Sequence, residues 1–315
     1  MRPMRPLRPI PRRSIRPWAG GRLGREDEHV GELWLAGPDS VVDTEEGRSL
    51  TLGELAASTG EAFVGTRAMR LLGPRFPLLV KVIDAAEWLS LQVHPSDELA
   101  AELYGAGHLG KTEAWLVLDA EPGSALVTGP RRDLPEEELR RAIREGAVGR
   151  AHCDTRPCVP GETLLLEAGT MHAIGPGVFV YEIEQPSDLT FRMSDWGRHA
   201  TRERPLHVTE SLRAIRPSAH AIPAGEGWRL DGDALTVREF RLELLELLAV
   251  SAPAVRRPAG ESLEIVTAIR GRAALDGDGW RETIAPYETL VIPASVAEYG
   301  IEGPAGGLVA IGTVP

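Results

Sequence analysis

The chain has 315 residues, 43% hydrophobic and 26% charged, a composition typical of a globular protein with room for two domains. Its formal net charge of −11 excludes nucleic acid and membrane surfaces as natural partners, because both are themselves anionic. Nowhere does the sequence approach the roughly 20 apolar residues that a membrane-spanning helix needs.

Two features bear on the cellular compartment. Arg12 and Arg13 would allow a twin-arginine export signal, but no apolar stretch follows them, so we expect an extended proline-rich segment and a cytoplasmic protein. Cys153 and Cys158 are too few for a disulfide framework. Their spacing also misses that of a usual zinc cluster with His152, so we expect two reduced thiols.

In chain order, strand patterns separated by glycine- and proline-rich turns dominate the sequence. Two helices are predicted, at 52–58 and 134–145; the second has Asp133 as N-cap, Glu136 in a capping box and Gly146 as its stop. Many short strands with few helices predict a mainly β protein. The predicted strands are 78–84, 88–94, 113–118, 124–128, 163–167, 178–185, 188–194, 236–249, 263–269, 272–276, 289–292 and 307–312.

An internal repeat indicates two related β domains. Residues Gly161 to His172 have the spacing of a cupin motif, G-x5-P-x-G-x-x-H, with Glu167 in place of proline. Residues Tyr287 to Glu298 repeat it in degraded form, with Glu298 in place of histidine. We therefore predict two cupin (jelly-roll-like) β-barrels with a few added helices. The expected domains are a catalytic metal-binding domain at 1–210, a crossover linker of low apolar periodicity at 211–235, and a C-terminal barrel without a histidine metal site at 236–315.

The stretch Trp88–Pro95 carries the first candidate metal ligands. Its residues alternate, so that Leu89, Leu91 and Val93 fall on one face of a strand, while Ser90, Gln92 and His94 fall on the other. Gln92 and His94 would stand about 7 Å apart along the strand, close enough to converge on one ion.

Two further residues complete a set of candidate metal ligands that contains both nitrogen and oxygen donors. Glu113 opens an apolar strand, where a carboxylate is costly unless it is paired or bound to metal. His172 ends the cupin-like turn. Together with Gln92 and His94 they suit a borderline divalent ion with an open position. Zinc is favoured, with manganese or iron as alternatives.

The remaining histidines lack such a context, and we interpret them as surface or rim residues. Only two of the 35 basic residues are lysines. Lys81 lies in an apolar run and is attributed to chance, whereas Lys111 precedes Glu113 and indicates a site that needs a compact ammonium. The histidines set aside are His29, His108, His199, His207 and His220.

At these residues the sequence resembles the type I phosphomannose isomerases of the short bacterial form. The matching segments run in family order over most of the first 210 residues, and the block at 168–196 is the most specific. They are WAGGRL at 18–23, GELW at 31–34, FPLLVKVID at 76–84, LSLQVHPSD at 89–97, GKTEAW at 110–115, AGTMHAIGPGVFVYEIEQPSDLTFRMSDW at 168–196 and RPLH at 204–207.

The resemblance implies an isomerase that interconverts mannose 6-phosphate and fructose 6-phosphate. It also implies a catalytic arginine at Arg192 and active-site positions at Lys111 and Glu182. Short relatives continue from GELW into a segment with a histidine, which is missing at 35–39 here. The implied cofactor is one zinc ion per chain, held by Gln92, His94, Glu113 and His172.

For such a reaction we expect a proton shuttle, an oxyanion stabiliser and a phosphate site, since a proton must move between C2 and C1 through an enediol. Glu182 is the candidate shuttle, or else an ion-pair partner of Arg192, which would stabilise the enediolate. Lys111 and Ser90 are candidates for phosphate contact, although Ser90 could be simple strand polarity. The alternatives are a non-catalytic sugar-phosphate-binding relative and another metal-cupin enzyme, either a sugar isomerase or a dioxygenase.

Overall fold

The computed structural model describes residues 4–44, 47–198, 202, 204–225, 234–247, 254–256, 258 and 260–315. Within these ranges the chain forms 23 β-strands and five α-helices, so the prediction of a mainly β protein is confirmed. No helix in the described ranges combines the length and apolarity needed to cross a membrane. His199 and residues 226–233 of the predicted linker lie outside the description.

The elements follow one another in this order. The helices are α1 (Leu52–Thr59), α2 (Glu61–Leu72), α3 (Asp97–Tyr104), α4 (Glu136–Arg144) and α5 (Val208–Ala214). The strands are β1 (Arg12–Ile15), β2 (Val30–Ala36), β3 (Val41–Asp43), β4 (Ser49–Thr51), β5 (Leu79–Ala85), β6 (Leu91–Val93), β7 (Glu113–Ala120), β8 (Ala125–Pro130), β9 (Cys153–Pro157), β10 (Thr163–Leu166), β11 (Ala173–Ile174), β12 (Val178–Glu184), β13 (Phe191–Ser194), β14 (Ile222–Gly225), β15 (Leu235–Thr236), β16 (Arg241–Leu247), β17 (Ala254–Arg256), β18 (Glu264–Arg270), β19 (Ala273–Gly277), β20 (Trp280–Ile284), β21 (Thr289–Ile292), β22 (Tyr299–Glu302) and β23 (Gly307–Thr313).

The chain divides into two compact units, each assembled from separate stretches of sequence. Unit 1 contains Met1–Arg12, Leu33–Val82 and Gly227–Pro315, and unit 2 contains Arg13–Glu32 and Ile83–Glu226. Unit 2 holds every predicted site residue. The predicted domains at 1–210, 211–235 and 236–315 stay a prediction.

Two sets of strands have the same sheet order. One sheet contains the run β5-β12-β7-β10 and another contains the run β16-β23-β18-β21, while the smaller sheets run β11-β8-β9 and β22-β19-β20. Each strand of the first and third runs, namely β5 and β7 to β12, therefore has a counterpart eleven strands later, in the same chain order. The internal repeat that the sequence indicates is present in the strand pairing.

The inner face of unit 2 changes from apolar to charged along β7. Val117 lies opposite Val180 of β12, Trp115 lies opposite Glu182, and Glu113 lies opposite Glu184. Because side chains alternate along a strand, Glu113, Trp115 and Val117 share one face. Val117, Val180 and Trp115 belong to a buried apolar cluster, so the carboxylates lie where that cluster ends.

The predicted start of the second helix is wrong. Pro135 is the N-cap of α4 without a side-chain cap, and Asp133 instead accepts a hydrogen bond from Arg131 Nε at 2.5 Å. Proline suits the helix entry because it lacks the N–H that would remain unpaired there. Three glutamates in the first turn favour this end electrostatically, so the helix needs no capping side chain.

The predicted crossover linker begins inside α5, whose last four residues, 211–214, belong to it. Ser211 and Ala214 are the buried residues of α5, and Arg140 Nη1 of α4 donates to Leu212 O at 2.9 Å. Two turns of helix leave almost no periodicity to read, and packing against neighbours rather than propensity stabilises them.

The two cysteines are free thiols, as predicted. Burial raises the pKa of Cys153 and of Cys158 to about 12. The thiolate is the form that binds metal and attacks electrophiles, so neither residue is poised for that chemistry.

Gly65 gives a test of the packing inside unit 1. It interrupts α2 with φ of +89°, and a Cβ there would lie 2.5 Å from Glu261 O. Gly60 also has positive φ, +58°, but open space around its Cβ position. We expect Gly65→Ala to lower the free energy of unfolding by about 3 kcal/mol, and Gly60→Ala by about 1 kcal/mol. Urea denaturation measures both free energies of unfolding. Equal losses of stability in the two variants would show that a Cβ at position 65 does not collide with Glu261 O.

Candidate metal centre and active site

Backbone pairing brings the predicted ligands together. Gln92 N donates to His172 O and His172 N donates to Gln92 O, both at 3.0 Å, which places the end of the cupin-like turn beside β6. On the other side of β6, Arg192 of β13 pairs with Gln92. Directly opposed residues point to the same face of a sheet, so Arg192 and Gln92 share a face.

Three of the four predicted metal ligands form one buried cluster. The ligand atoms of His94, Glu113 and His172 all lie within 4.8 Å of one another. His94 Nε2 is 3.4 Å from Glu113 Oε2, and His172 Nε2 is 3.3 Å from Glu113 Oε1. None of the three residues is more than 2% exposed.

The hydrogen bonds of the two imidazoles determine which nitrogen faces the cluster. His94 Nδ1 is 2.8 Å from Leu189 O, and His172 Nδ1 is 2.8 Å from Thr170 O. A carbonyl only accepts, so both Nδ1 atoms carry the proton and both Nε2 atoms are bare in the neutral rings. Burial, reinforced by the Lys111 ammonium, lowers the pKa of His94 to about 4, and burial lowers the pKa of His172 as well.

This arrangement fits a divalent ion. Lone pairs of two imidazoles face a carboxylate, and Glu113 Oε1 is buried without a hydrogen-bond donor among the described residues. Ligands at zinc distances of about 2.0–2.2 Å in a tetrahedron stand about 3.4 Å apart, which matches the two measured separations. The donor set suits zinc, and the distances do not distinguish zinc from neighbouring divalent metals.

Gln92, the fourth predicted ligand, borders the cluster with its amide nitrogen. Gln92 Nε2 is 3.2 Å from His172 Nε2, and Ser90 Oγ donates to Gln92 Oε1 at 3.1 Å. To offer its oxygen to a metal, the amide must turn by 180°. The Ser90 hydroxyl permits both orientations because it can accept as well as donate.

The ammonium of Lys111 is buried among the same groups. Lys111 Nζ is 2.5 Å from Glu113 Oε2, 2.6 Å from Glu184 Oε2 and 3.4 Å from His94 Nε2. Burial opposes the charge, but Glu113, Glu182 and Glu184 outweigh it and raise the pKa of Lys111 well above its ordinary value. When they are ionised, these three carboxylates against one ammonium leave a formal charge of −2, which a divalent ion would balance.

Burial raises the pKa of Glu113, but the attraction of the Lys111 ammonium outweighs it and holds this pKa well below the ordinary value. Glu113 is therefore an anion, the form that a metal requires. Glu182 lies beside it, since Glu113, Glu182 and Glu184 form a second group of ligand atoms within 4.8 Å. Glu182 Oε1 accepts from Trp115 Nε1 at 2.8 Å.

Arg192 is half-buried and incompletely satisfied. Its Nη1 donates to Pro205 O at 2.9 Å, while its buried Nε has no partner among the described residues. Burial and the nearby Arg204 lower its pKa, a sign that positive charge is concentrated there. His207, predicted to be a surface or rim residue, is half-buried and accepts from Arg192 N at 3.1 Å. The guanidinium therefore has capacity left for an anion.

Hydrogen bonds of Asp97 and Gln185, together called the Asp97 clasp, hold the segment that carries Lys111, and the sequence did not predict them. Asp97 Oδ1 accepts from Gly110 N at 2.8 Å and from Gln185 Nε2 at 2.9 Å. Gln185 Oε1 accepts from Thr112 N at 2.9 Å. No spacing marks Asp97 or Gln185 as partners, because α3 and a long separation in sequence intervene. Glu184 was also missed, although its alternation with Glu182 put both on one strand face.

The fold and the site define a class: a mainly β protein with a buried two-histidine, one-carboxylate site suited to a divalent ion, flanked by an ammonium and a guanidinium. Residues 22–120 match the family model described as phosphomannose isomerase type I, catalytic domain. The mannose-6-phosphate isomerase of Streptococcus mutans serotype c is 37% identical over 222 residues, 66% of this chain and 67% of that protein.

Two further similarities extend over most of the chain. The Bacillus subtilis protein YvyI is 33% identical over 293 residues, 88% of this chain and 87% of its own length. The crystal structure of the mannose 6-phosphate isomerase from Bacillus subtilis covers 98% of this chain and 99% of its own, with a TM-score of 0.79 and 24% identity. The chain therefore belongs to the type I phosphomannose isomerases, a family of aldose–ketose isomerases, as the sequence resemblance indicated.

Metal content tests the cluster directly. We expect about one divalent ion per chain, and a loss of at least 100-fold in affinity for His172→Ala and Glu113→Gln, because each removes a donor from a buried site. The exposed His29→Ala is the matched control. Elemental analysis and competition with a chromophoric chelator measure both quantities, and a variant that retains tight binding would remove its residue from the ligand set.

A second pair of variants tests the Asp97 clasp. Asp97→Ala removes the acceptor for two N–H groups, so we expect metal affinity to fall about tenfold. Asp97→Asn keeps a side-chain oxygen and should retain most of the affinity. Equal behaviour of the two variants would show that the carboxylate's hydrogen bonds do not position the site.

Proposed function

We propose that the chain interconverts mannose 6-phosphate and fructose 6-phosphate at a single zinc ion held by Gln92, His94, Glu113 and His172. The observation that carries this proposal is the buried cluster of His94, Glu113 and His172, in a chain of this family. The name of the Streptococcus relative, mannose-6-phosphate isomerase, supports mannose 6-phosphate as the substrate.

The chemistry requires a proton to leave one carbon of the sugar and return to its neighbour, through an enediol with developing negative charge on oxygen. A divalent ion, when bound, acts as a Lewis acid toward the sugar oxygens and stabilises that charge. The carboxylates and cations of the chain must then move the proton and hold the substrate.

Glu182 is our candidate for the proton transfer between C1 and C2. The Trp115 N–H donates to Glu182 Oε1 at 2.8 Å, which orients the carboxylate beside Glu113 and the metal cluster, where it can exchange a proton with the substrate. The same Trp115 ring meets the His172 ring edge-on, with centroids 5.4 Å apart. One side chain thus orients both a carboxylate and a metal ligand.

Arg192 is our candidate for stabilising the enediolate oxygen. Its Nε is buried without a partner among the described residues, and hydrogen bonds to its backbone and to Nη1 hold the residue in place. A permanently charged group already fixed beside the reacting atoms stabilises developing charge without reorganising.

Ser90 and Lys111 are proposed to contact the substrate, with Lys111 also acting in catalysis. Both are buried, and the ammonium of Lys111 already has two carboxylate partners. A substrate phosphate or hydroxyl would therefore join or replace one of those partners. Phosphorylated sugars do not cross membranes unaided, which is consistent with the predicted cytoplasmic location.

Turnover tests the proposal. We expect conversion of mannose 6-phosphate to fructose 6-phosphate that disappears on chelation and returns with zinc. Arg192→Ala should lower kcat by about 10²- to 10³-fold, since it removes transition-state stabilisation, whereas Arg213→Ala should leave kcat unchanged. A coupled assay of fructose 6-phosphate measures both.

The remaining outcomes separate the alternatives. A folded, zinc-loaded protein that binds mannose 6-phosphate without converting it would be a sugar-phosphate-binding relative, and would direct attention to the shortened segment at 35–39. Conversion of another hexose phosphate would indicate a different sugar isomerase. Bound iron with consumption of oxygen would indicate a dioxygenase.

A further inference from the structure

Unit 1 contains a strand pair that corresponds to the one carrying Glu113. In unit 2, Glu113 begins β7 and pairs with Leu166, the last residue of β10. In unit 1, Glu264 begins β18 and pairs with Ile292, the last residue of β21. Since β18 and β21 are the counterparts of β7 and β10, Glu264 occupies the position of the metal-site carboxylate.

The neighbouring pairs correspond in the same way. In unit 2, Gln92 pairs with His172; in unit 1, Arg256 of β17 pairs with Tyr299, which opens β22. Arg256 therefore stands where Gln92 stands, and Tyr299 stands where His172 stands. The motif in the sequence placed Glu298 at the position of His172. In the structure Glu298 is exposed, and the turn before β22 is one residue longer than the corresponding turn before β11.

The three side chains contact one another. Arg256 Nη2 donates to Glu264 Oε1 at 2.7 Å, and the Tyr299 hydroxyl donates to Glu264 Oε2 at 2.5 Å. Arg256 Nη1 also donates to Glu243 Oε1 at 2.8 Å. Both oxygens of Glu264 thus have donors, whereas Glu113 Oε1 has none among the residues that the structure describes.

We propose that Arg256, Glu264 and Tyr299 form the unit 1 counterpart of the metal centre, in which a guanidinium fixed on β17 has taken the place of the divalent ion. A carboxylate that is 5% exposed needs a cation, and both sites provide one. In unit 2 the Lys111 ammonium contacts one oxygen of the carboxylate and an exchangeable ion would serve the other; in unit 1 the guanidinium and the Tyr299 hydroxyl serve both. Without the guanidinium, and with an imidazole restored, the site takes a divalent metal cation.

The pKa shifts of Arg256 and Tyr299 support a guanidinium that stays charged beside Glu264. Burial opposes the charge of Arg256, but Glu264 and Glu243 outweigh it and raise its pKa. Burial and the adjacent Glu264 raise the pKa of Tyr299 well above its ordinary value, so its hydroxyl remains a donor.

Restoring the imidazole and the amide tests whether the site is a latent metal site. In a His94→Ala, His172→Ala background, which leaves unit 2 without an imidazole ligand, we would introduce Arg256→Gln and Tyr299→His. The expected result is about one Co²⁺ or Zn²⁺ per chain, measured by equilibrium dialysis and by the visible absorption of Co²⁺, against none for the His94→Ala, His172→Ala background alone. A folded quadruple variant that binds no metal overturns the proposal.

Charge compensation gives a second test that does not depend on that design folding. Arg256→Met leaves the carboxylate without its cation and should lower the thermal midpoint by about 10 °C, while Arg256→Met with Glu264→Gln should regain about half. Arg281→Met, at an exposed ion-paired arginine, is the control and should change little. Equal midpoints for Arg256→Met and the control, or no recovery in the double variant, overturn the proposal.

Discussion

A carboxylate that begins a buried strand must have a cation, and the arrangement of unit 2 depends on that requirement. Glu113 lies where the apolar inner face of β7 and β12 ends, so water cannot solvate it. The chain surrounds it with an ammonium and two imidazoles whose bare nitrogens face inward. The carbonyl oxygens of Leu189 and Thr170 fix the two imidazoles, and the hydrogen bonds of Asp97 fix the segment that carries Lys111.

The sequence predicts the parts of the site that follow strand alternation or a local motif. The alternation at 88–95 put Gln92 and His94 on one face, and the apolar run after Glu113 made its burial predictable. Eleven of the twelve predicted strands match strands of the structure to within about three residues at each end. The strand predicted at 236–249 is interrupted between β15 and β16, and its residues 248–249 lie outside the described ranges. The resemblance to the family supplied Arg192, which no local pattern would have singled out, whereas the scarcity of lysine already pointed to Lys111.

The remaining features could not be predicted because they depend on contacts between distant segments. Asp97 and Gln185 are joined by one side-chain hydrogen bond that spans 88 positions, and neither local sequence indicates such a partner. Short helices such as α5 form because neighbours cover them. The position of Tyr299 depends on a turn that is longer by one residue, and counting along the motif selects Glu298 instead.

The ion pairs of Lys111 have a consequence for how the enzyme is made. With its ammonium between Glu113 and Glu184, the pocket neutralises part of its own charge before any metal arrives. A zinc finger has no such internal cation and stays unfolded until its ion binds. Here maturation can follow folding: a newly synthesised chain can persist as a compact precursor while divalent metal is scarce, and bind its ion once the supply recovers.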